Sequence, residues 1–252
     1  MTSKSPFPKY RLPPGLVIKV LGGLNAGRRR NILLDSKQLI KGISPPPVFR
    51  GQENIPQRGP FLVTLNHYSR PGFLILWAAV AISAALPQPS IWLMTAAWTN
   101  HSAGIDQLRT RLTKSAFKRL ADTYGLVTMP PMPPASSDAV ERALSIRRLM
   151  EKIKRDSEAI VCIAPEGMDY PGGVLGRPHP GTGKLLTQTA RSLQWVLPVG
   201  VYEEAGQLIV HFGKAYTLDI PNERENDDRV VINQIMRQIA ALVPEEMRGP
   251  FG

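Results

Sequence analysis

The 252-residue chain carries 31 Lys/Arg against 20 Asp/Glu, a net charge of +11, and 43% of its residues are apolar. That apolar share supports a folded core and excludes a disordered polyelectrolyte. The single cysteine, Cys162, excludes an intrachain disulfide framework and a cysteine-based zinc site, and its place in an apolar run reads as a small buried hydrophobe in a reducing environment.

Residues 1–14 hold Pro6, Pro8, Pro13 and Pro14 and no apolar run of the kind a secretory signal carries, so they read as extended chain. Residues 15–41 have the pattern of one or two short amphipathic helices, interrupted at Gly22-Gly23 and Gly27. Pro45-Pro46-Pro47 is a stop, and we place a boundary near residue 50. The first fifty residues contain ten Lys/Arg and one acid, Asp35, whereas residues 156–252 contain eight bases and thirteen acids. Such asymmetry points to an anionic partner, although a solvated basic face accounts for the charge equally well. Apolar residues alternate with the cations at Leu16-Val17-Ile18-Lys19-Val20-Leu21, and Arg28-Arg29-Arg30 precedes Ile32-Leu33-Leu34. That composition suits a segment lying among lipid headgroups, where each cation near an anionic surface adds about 1 kcal/mol. Nucleic acid is not expected, because the chain shows no zinc-finger spacing, no RNP-type aromatic run and no basic-zipper heptads.

The run Phe61-Leu62-Val63-Thr64-Leu65 predicts a buried strand. Phe73 to Leu86 holds fourteen residues with Ser83 alone polar, short of the about 20 that a bilayer span needs. It predicts a buried helix, or one dipping into a membrane interface. Ile91–Ala97 predicts a strand, and residues 106–122 a helix with apolar Leu108, Leu112, Phe117 and Leu120. Residues 138–155 predict a clearer helix, capped by Ser137 or Asp138, with Ala139, Ala143, Ile146, Leu149, Met150 and Ile153 as its apolar stripe. A strand at 159–164, a loop over 165–181, a helix over 183–193, a hairpin turning at Ala205-Gly206 and a helix over 227–242 follow. Helices alternating with apolar strands predict an α/β fold.

Three segments carry candidate chemistry. In Asn66-His67-Tyr68-Ser69-Arg70-Pro71-Gly72-Phe73, a histidine follows a strand in a polar turn, where an imidazole serves as a base near neutral pH. Ser69 lacks a nucleophile elbow around it. In Ala164-Pro165-Glu166-Gly167-Met168-Asp169-Tyr170, a strand runs into a turn that leaves a carboxylate at the sheet's edge, where α/β folds place ligand chemistry. A structural histidine and an ordinary acidic turn explain the two segments taken singly. The third, Pro180-Gly181-Thr182-Gly183-Lys184-Leu185, is no phosphate loop: Pro178 stands where its first glycine belongs, and Leu185 where a hydroxyl would bind magnesium.

Taken in order, these pieces resemble the phospholipid/glycerol acyltransferase family, whose type member acylates lysophosphatidic acid. The residues that carry the resemblance are Gly51-Gln52-Glu53-Asn54-Ile55-Pro56 through Asn66-His67, Tyr124-Gly125-Leu126-Val127-Thr128-Met129, Ile163-Ala164-Pro165-Glu166-Gly167, Leu197-Pro198-Val199-Gly200-Val201-Tyr202 and His211-Phe212-Gly213-Lys214. The resemblance implies a mixed, mostly parallel sheet flanked by helices over 51–252, with residues 1–50 as a basic helical extension. It implies an O-acyltransferase with His67 as general base and Asn66, Ser69, Arg70, Pro165, Glu166 and Gly167 as substrate-binding residues. The acyl donor would be acyl-CoA or acyl carrier protein, the acceptor a lipid or lysolipid. No bound cofactor or metal is expected, and the place would be the cytoplasmic, inner face of the membrane.

Two departures stand out. The family's aspartate falls five positions after the histidine, where this chain has Gly72; Asp106 and Asp169 are alternative carboxylates that the sequence does not rank. The family's arginine after the second block is replaced by Pro130-Pro131, with Arg70 a substitute by position. A catalytically silent lipid-binding protein on the same fold is the alternative that Gly72 raises.

Overall fold

The computed structural model describes residues 6–97, 106–133, 135–219 and 228–252. In chain order it forms β1 (Lys9–Tyr10), α1 (Pro14–Asn25), α2 (Ile32–Leu39), β2 (Ile43–Ser44), β3 (Val48–Arg50), β4 (Phe61–Leu65), α3 (Leu76–Ala85), β5 (Ser90–Thr95) and α4 (Asp106–Tyr124). It continues with β6 (Val127–Met129), α5 (Ala139–Arg155), β7 (Ile160–Ile163), α6 (Thr182–Ala190), β8 (Trp195–Glu204), β9 (Gln207–Phe212) and α7 (Asp228–Ala240).

Seven strands form one sheet in the order β3-β9-β8-β4-β7-β5-β6. Among the described strands β8 and β9 pair antiparallel and the other neighbours parallel, so the sheet is mixed and mostly parallel, as expected; an isolated antiparallel bridge joins Val196 of β8 to Tyr216. Strands covered on both faces read as unbroken apolar runs rather than alternations. The centre obeys this: Phe61, Leu62, Val63, Leu65, Ile160, Val161 and Cys162 are fully buried. In register, Thr64 lies beside Ile163, so β4 and β7 end together, while β8, with Val199 beside Leu65, runs on to Glu204. The chain that leaves β4 and the chain that leaves β7 therefore emerge side by side at the carboxyl edge of the sheet.

Residues 6–50 pack against the rest of the fold. β1 pairs antiparallel with β2, β3 lies parallel to β9 at the sheet's edge, and α2 packs on α3. A bidentate contact ties Arg30 to the buried Asp35 at 2.7 Å through both nitrogens, and Tyr124 also donates to Asp35 at 2.6 Å. One of the three clustered arginines is thus committed internally, while Arg28 and Arg29 are exposed.

The helix after His67 begins at Leu76, later than the apolar run suggested, and Leu74 and Leu76 remain exposed. Its lone polar residue, Ser83, is buried and accepts a hydrogen bond from Trp92 Nε1 at 2.9 Å. That bond satisfies a hydroxyl that would otherwise be costly in the core. In α5 the expected side-chain cap is absent: a 3-10 turn over Ser136–Asp138 leads in, and Asp138 makes no capping bond. Its apolar stripe is buried at Leu149 and Ile153, while Ala139 and Ala143 are exposed. The side chains of Leu108 and Leu112 lie outside the described residues. Among the described residues, no helix is long and apolar enough to cross a membrane.

Candidate functional site

His67 lies two residues beyond the end of β4, and Pro165, at the head of Pro165-Glu166-Gly167, lies two beyond the end of β7. Asn66 sets the first turn. Its buried amide donates to the Val201 carbonyl at 2.8 Å and accepts from the Val201 N–H at 2.7 Å, continuing the β4–β8 ladder with a side chain where the backbone departs. The second loop packs against the first at Gly173, where an added Cβ would meet the Tyr68 ring at 2.8 Å and the backbone has φ +69°. Both features require glycine there.

Glu166 fastens the two loops. It is 1% exposed, and its two oxygens accept from the backbone N–H of His67 at 2.5 Å and of Gly176 at 2.7 Å. Burial raises its carboxyl above the ordinary glutamate value, while the two N–H donors oppose the rise. With both oxygens occupied by backbone, Glu166 positions the His67 turn.

The imidazole of His67 retains 18% side-chain exposure, and its Nδ1 lies 2.8 Å from Oδ1 of Asp169. The separation is that of a hydrogen bond, but Nδ1 lacks the alignment of one. The distance leaves no room for an intervening water, and the Asp169 side chain is 68% exposed. Contact with the imidazole holds the Asp169 carboxyl below the usual carboxylate range, against a smaller opposing effect of burial. Among the described residues His67 Nε2 has no hydrogen-bond partner. Gly72, in the position of the family's aspartate, is exposed with φ +81°, a backbone that any side chain adopts under strain.

Arg70 is engaged within the protein. Its Nε and Nη2 bond to the two oxygens of Glu203, the latter at 2.7 Å, and its Nη1 donates to the Pro71 carbonyl at 2.7 Å. The Phe7 ring lies 4.0 Å from its guanidinium carbon. Glu203, whose side chain is 1% exposed, also accepts from Tyr10 at 2.5 Å and from Tyr68 at 3.1 Å. Burial together with this carboxylate pushes the Tyr68 hydroxyl up to about 12. Arg70 is thus not the unpaired cation its position suggested: three of its five N–H donors are engaged by Glu203 and Pro71.

Of the other expected residues, Pro165 is buried, Gly167 is exposed in a left-handed turn with φ +69°, and Ser69 is half-buried beside Gly173. The structure thus brings His67, Ser69, Arg70, Pro165, Glu166 and Gly167 to one edge, with Asn66 as the pin beneath. The side chain of Asp106 lies outside the described residues. Sequence reasoning missed Glu203 and also Arg142 of α5, whose guanidinium reaches the Pro131 carbonyl at 3.5 Å and the Met132 sulfur at 3.8 Å. Met132 in turn covers Gly167, 3.2 Å from where a Cβ would stand. No spacing rule links Arg142 or Glu203 to His67. Among the described residues no group of three or more His, Cys, Asp or Glu could hold a metal ion.

A family model described as Acyltransferase matches residues 47–202, well over half of the chain. Among solved structures, the crystal structure of the 1-acyl-sn-glycerophosphate (LPA) acyltransferase PlsC from Thermotoga maritima is similar, with a TM-score of 0.52 and 17% identity over 84% of this chain and 78% of that one. That likeness shows a shared fold. A comparison with curated protein sequences finds no match.

Proposed function

The chain belongs to the acyltransferase family, and on that premise we propose that it moves a fatty acyl group from an acyl thioester to a hydroxyl of a glycerolipid or similar acceptor. The observation that carries the reading is His67: an accessible imidazole at the carboxyl end of a central strand, its backbone clamped by Glu166 and its Nε2 without a partner among the described residues. Such a nitrogen is placed to take the acceptor's hydroxyl proton. The acceptor oxygen then bonds to the thioester carbonyl carbon, the C–S bond breaks, and the departing thiolate receives the proton from Nε2. Transfer is direct, with no acyl-enzyme. Acyl-CoA and acyl carrier protein both supply the thioester.

With Arg70 committed to Glu203, Arg142 is the cation that supports a phosphorylated acceptor. Its bonds to Pro131 and Met132 are long, and it stands across Met132 from Gly167. The exposed apolar side chains Ile18, Leu21, Leu34, Leu74 and Leu76, with exposed Lys19, Arg28 and Arg29, support work at an anionic membrane surface. The inner face of the membrane is the place this reading gives it.

The test is product analysis. Protein, acyl-CoA or acyl carrier protein loaded with a fatty acid, and lysophospholipid acceptors with and without a terminal phosphate are incubated with vesicles and read by mass spectrometry. An acceptor heavier by one acyl group supports the reading. Intact thioester and acceptor with every pair, from folded protein, overturns it in favour of a silent lipid-binding protein on this fold.

A further inference from the structure

We propose that Asp169, on the loop after β7, supplies the carboxylate that Gly72 cannot, holding His67 with its proton on Nδ1 and steadying the imidazolium that forms during transfer. The inference deepens the proposed function and rests on its choice of His67 as base.

Three observations carry it. Nδ1 of His67 and Oδ1 of Asp169 stand 2.8 Å apart although 102 positions separate them in the chain. The neighbouring carboxylates are occupied, Glu166 by two backbone N–H groups and Glu203 by Arg70, Tyr10 and Tyr68. Lastly, Gly72 adopts φ +81°, so the family's own position is shaped for a residue without a side chain. The two loops are locked together by the Glu166 bonds and by the fit of Gly173 to Tyr68. A carboxylate on the second loop is thereby held against a histidine on the first, as a residue within the same turn would be.

A carboxylate at Nδ1 fixes the tautomer that leaves the lone pair on Nε2 facing the acceptor hydroxyl. When Nε2 takes the hydroxyl proton the ring becomes positive, and the adjacent negative charge stabilises it. The proton then passes from Nε2 to the departing thiolate, and Asp169 stays ionised throughout. It acts through His67, which makes it a positioning residue. The ionisable groups around His67 are Asp169 and Glu166 on the second loop and Tyr68 and Arg70 in its own turn. Asp169 alone of these has a side chain mostly in solvent, so replacing it leaves the fold's buried bonds intact.

The experiment compares wild type, Asp169→Asn, His67→Ala and the double variant in acyl transfer, alongside nitrogen-15 NMR of the imidazoles, with His67 assigned through His67→Ala. The expected result is a kcat lower by about 10²- to 10⁴-fold in Asp169→Asn, with KM within about twofold and no further loss from Asp169→Asn once His67 is gone. In the NMR, neutral His67 carries its proton on Nδ1 in wild type and loses that preference in Asp169→Asn. An active wild type with Asp169→Asn unchanged in kcat and tautomer overturns the inference and leaves the function standing. No transfer by wild type, with the tautomer still dependent on Asp169, overturns the function and leaves the pairing standing.

Discussion

The buried carboxylate of Glu166 accepts a 2.5 Å hydrogen bond from the backbone N–H of His67, so the imidazole's position depends on a group that never faces solvent. Glu166→Ala strands the N–H groups of His67 and Gly176 and should destabilise by about 2–4 kcal/mol. Glu166→Gln retains one acceptor and loses the other. Its effect depends on pH in a defined sense. Burial holds the folded carboxyl above its unfolded value. The wild-type contribution is therefore full below the ordinary glutamate range and is lost as pH rises through the raised folded value. The Tm deficit of Glu166→Gln should be largest near pH 4 or so and shrink towards neutrality. Thermal melts of both proteins across that range check it.

Asn66 and Val201 make a second backbone-like pair. Asn66→Ala removes a donor and an acceptor from a buried site, and Asn66→Asp loses the donor while adding a charge. We expect about 2–4 kcal/mol of destabilisation for the alanine, read as a lower urea midpoint with an unchanged slope.

Glu203 gathers Arg70, Tyr10 and Tyr68 on one side chain that is 1% exposed. Breaking such a pair from one side leaves a poorly solvated charge, at a cost of about 3–5 kcal/mol. Glu203→Gln should therefore cost more than Tyr10→Phe, which loses one hydroxyl and about 1 kcal/mol. Arg70→Lys should not rescue the site, because a lysine cannot span both oxygens. Denaturant melts of the three variants check the order.

The N-terminal helices present Ile18 at 70% and Leu21 at 53% exposure beside Lys19. Ile18→Asp with Leu21→Asp should sharply reduce flotation with anionic vesicles, and added salt should weaken the wild type less than it weakens a purely cationic peptide. Unchanged flotation of the double variant removes the membrane role of these helices.

The strand–loop–helix order was legible because central parallel strands leave unbroken apolar runs, and proline and glycine mark where each run ends. His67 and Glu166 were legible because each follows such a run. Their relationship was not. Glu166 looked like a substrate-facing acid, and its burial against two backbone N–H groups follows from the register of β4 with β7. Arg70 looked free because its partner, Glu203, lies 133 positions away on another strand. Asp169 and Asp106 could not be ranked, since spacing within one turn carries no information about a carboxylate delivered by a second loop. The start of α3 was misplaced because the apolar run begins in the turn before it, where Leu74 faces outward.

Acyl transfer at His67 is most directly tested by thiol release from acyl-CoA and from acyl carrier protein, with lysophospholipid and simple alcohol acceptors, comparing wild type with His67→Ala. Acceptor-dependent release by wild type should disappear in the variant, with circular dichroism showing that the variant is folded. Acceptor-dependent release that survives in His67→Ala would contradict that role of His67.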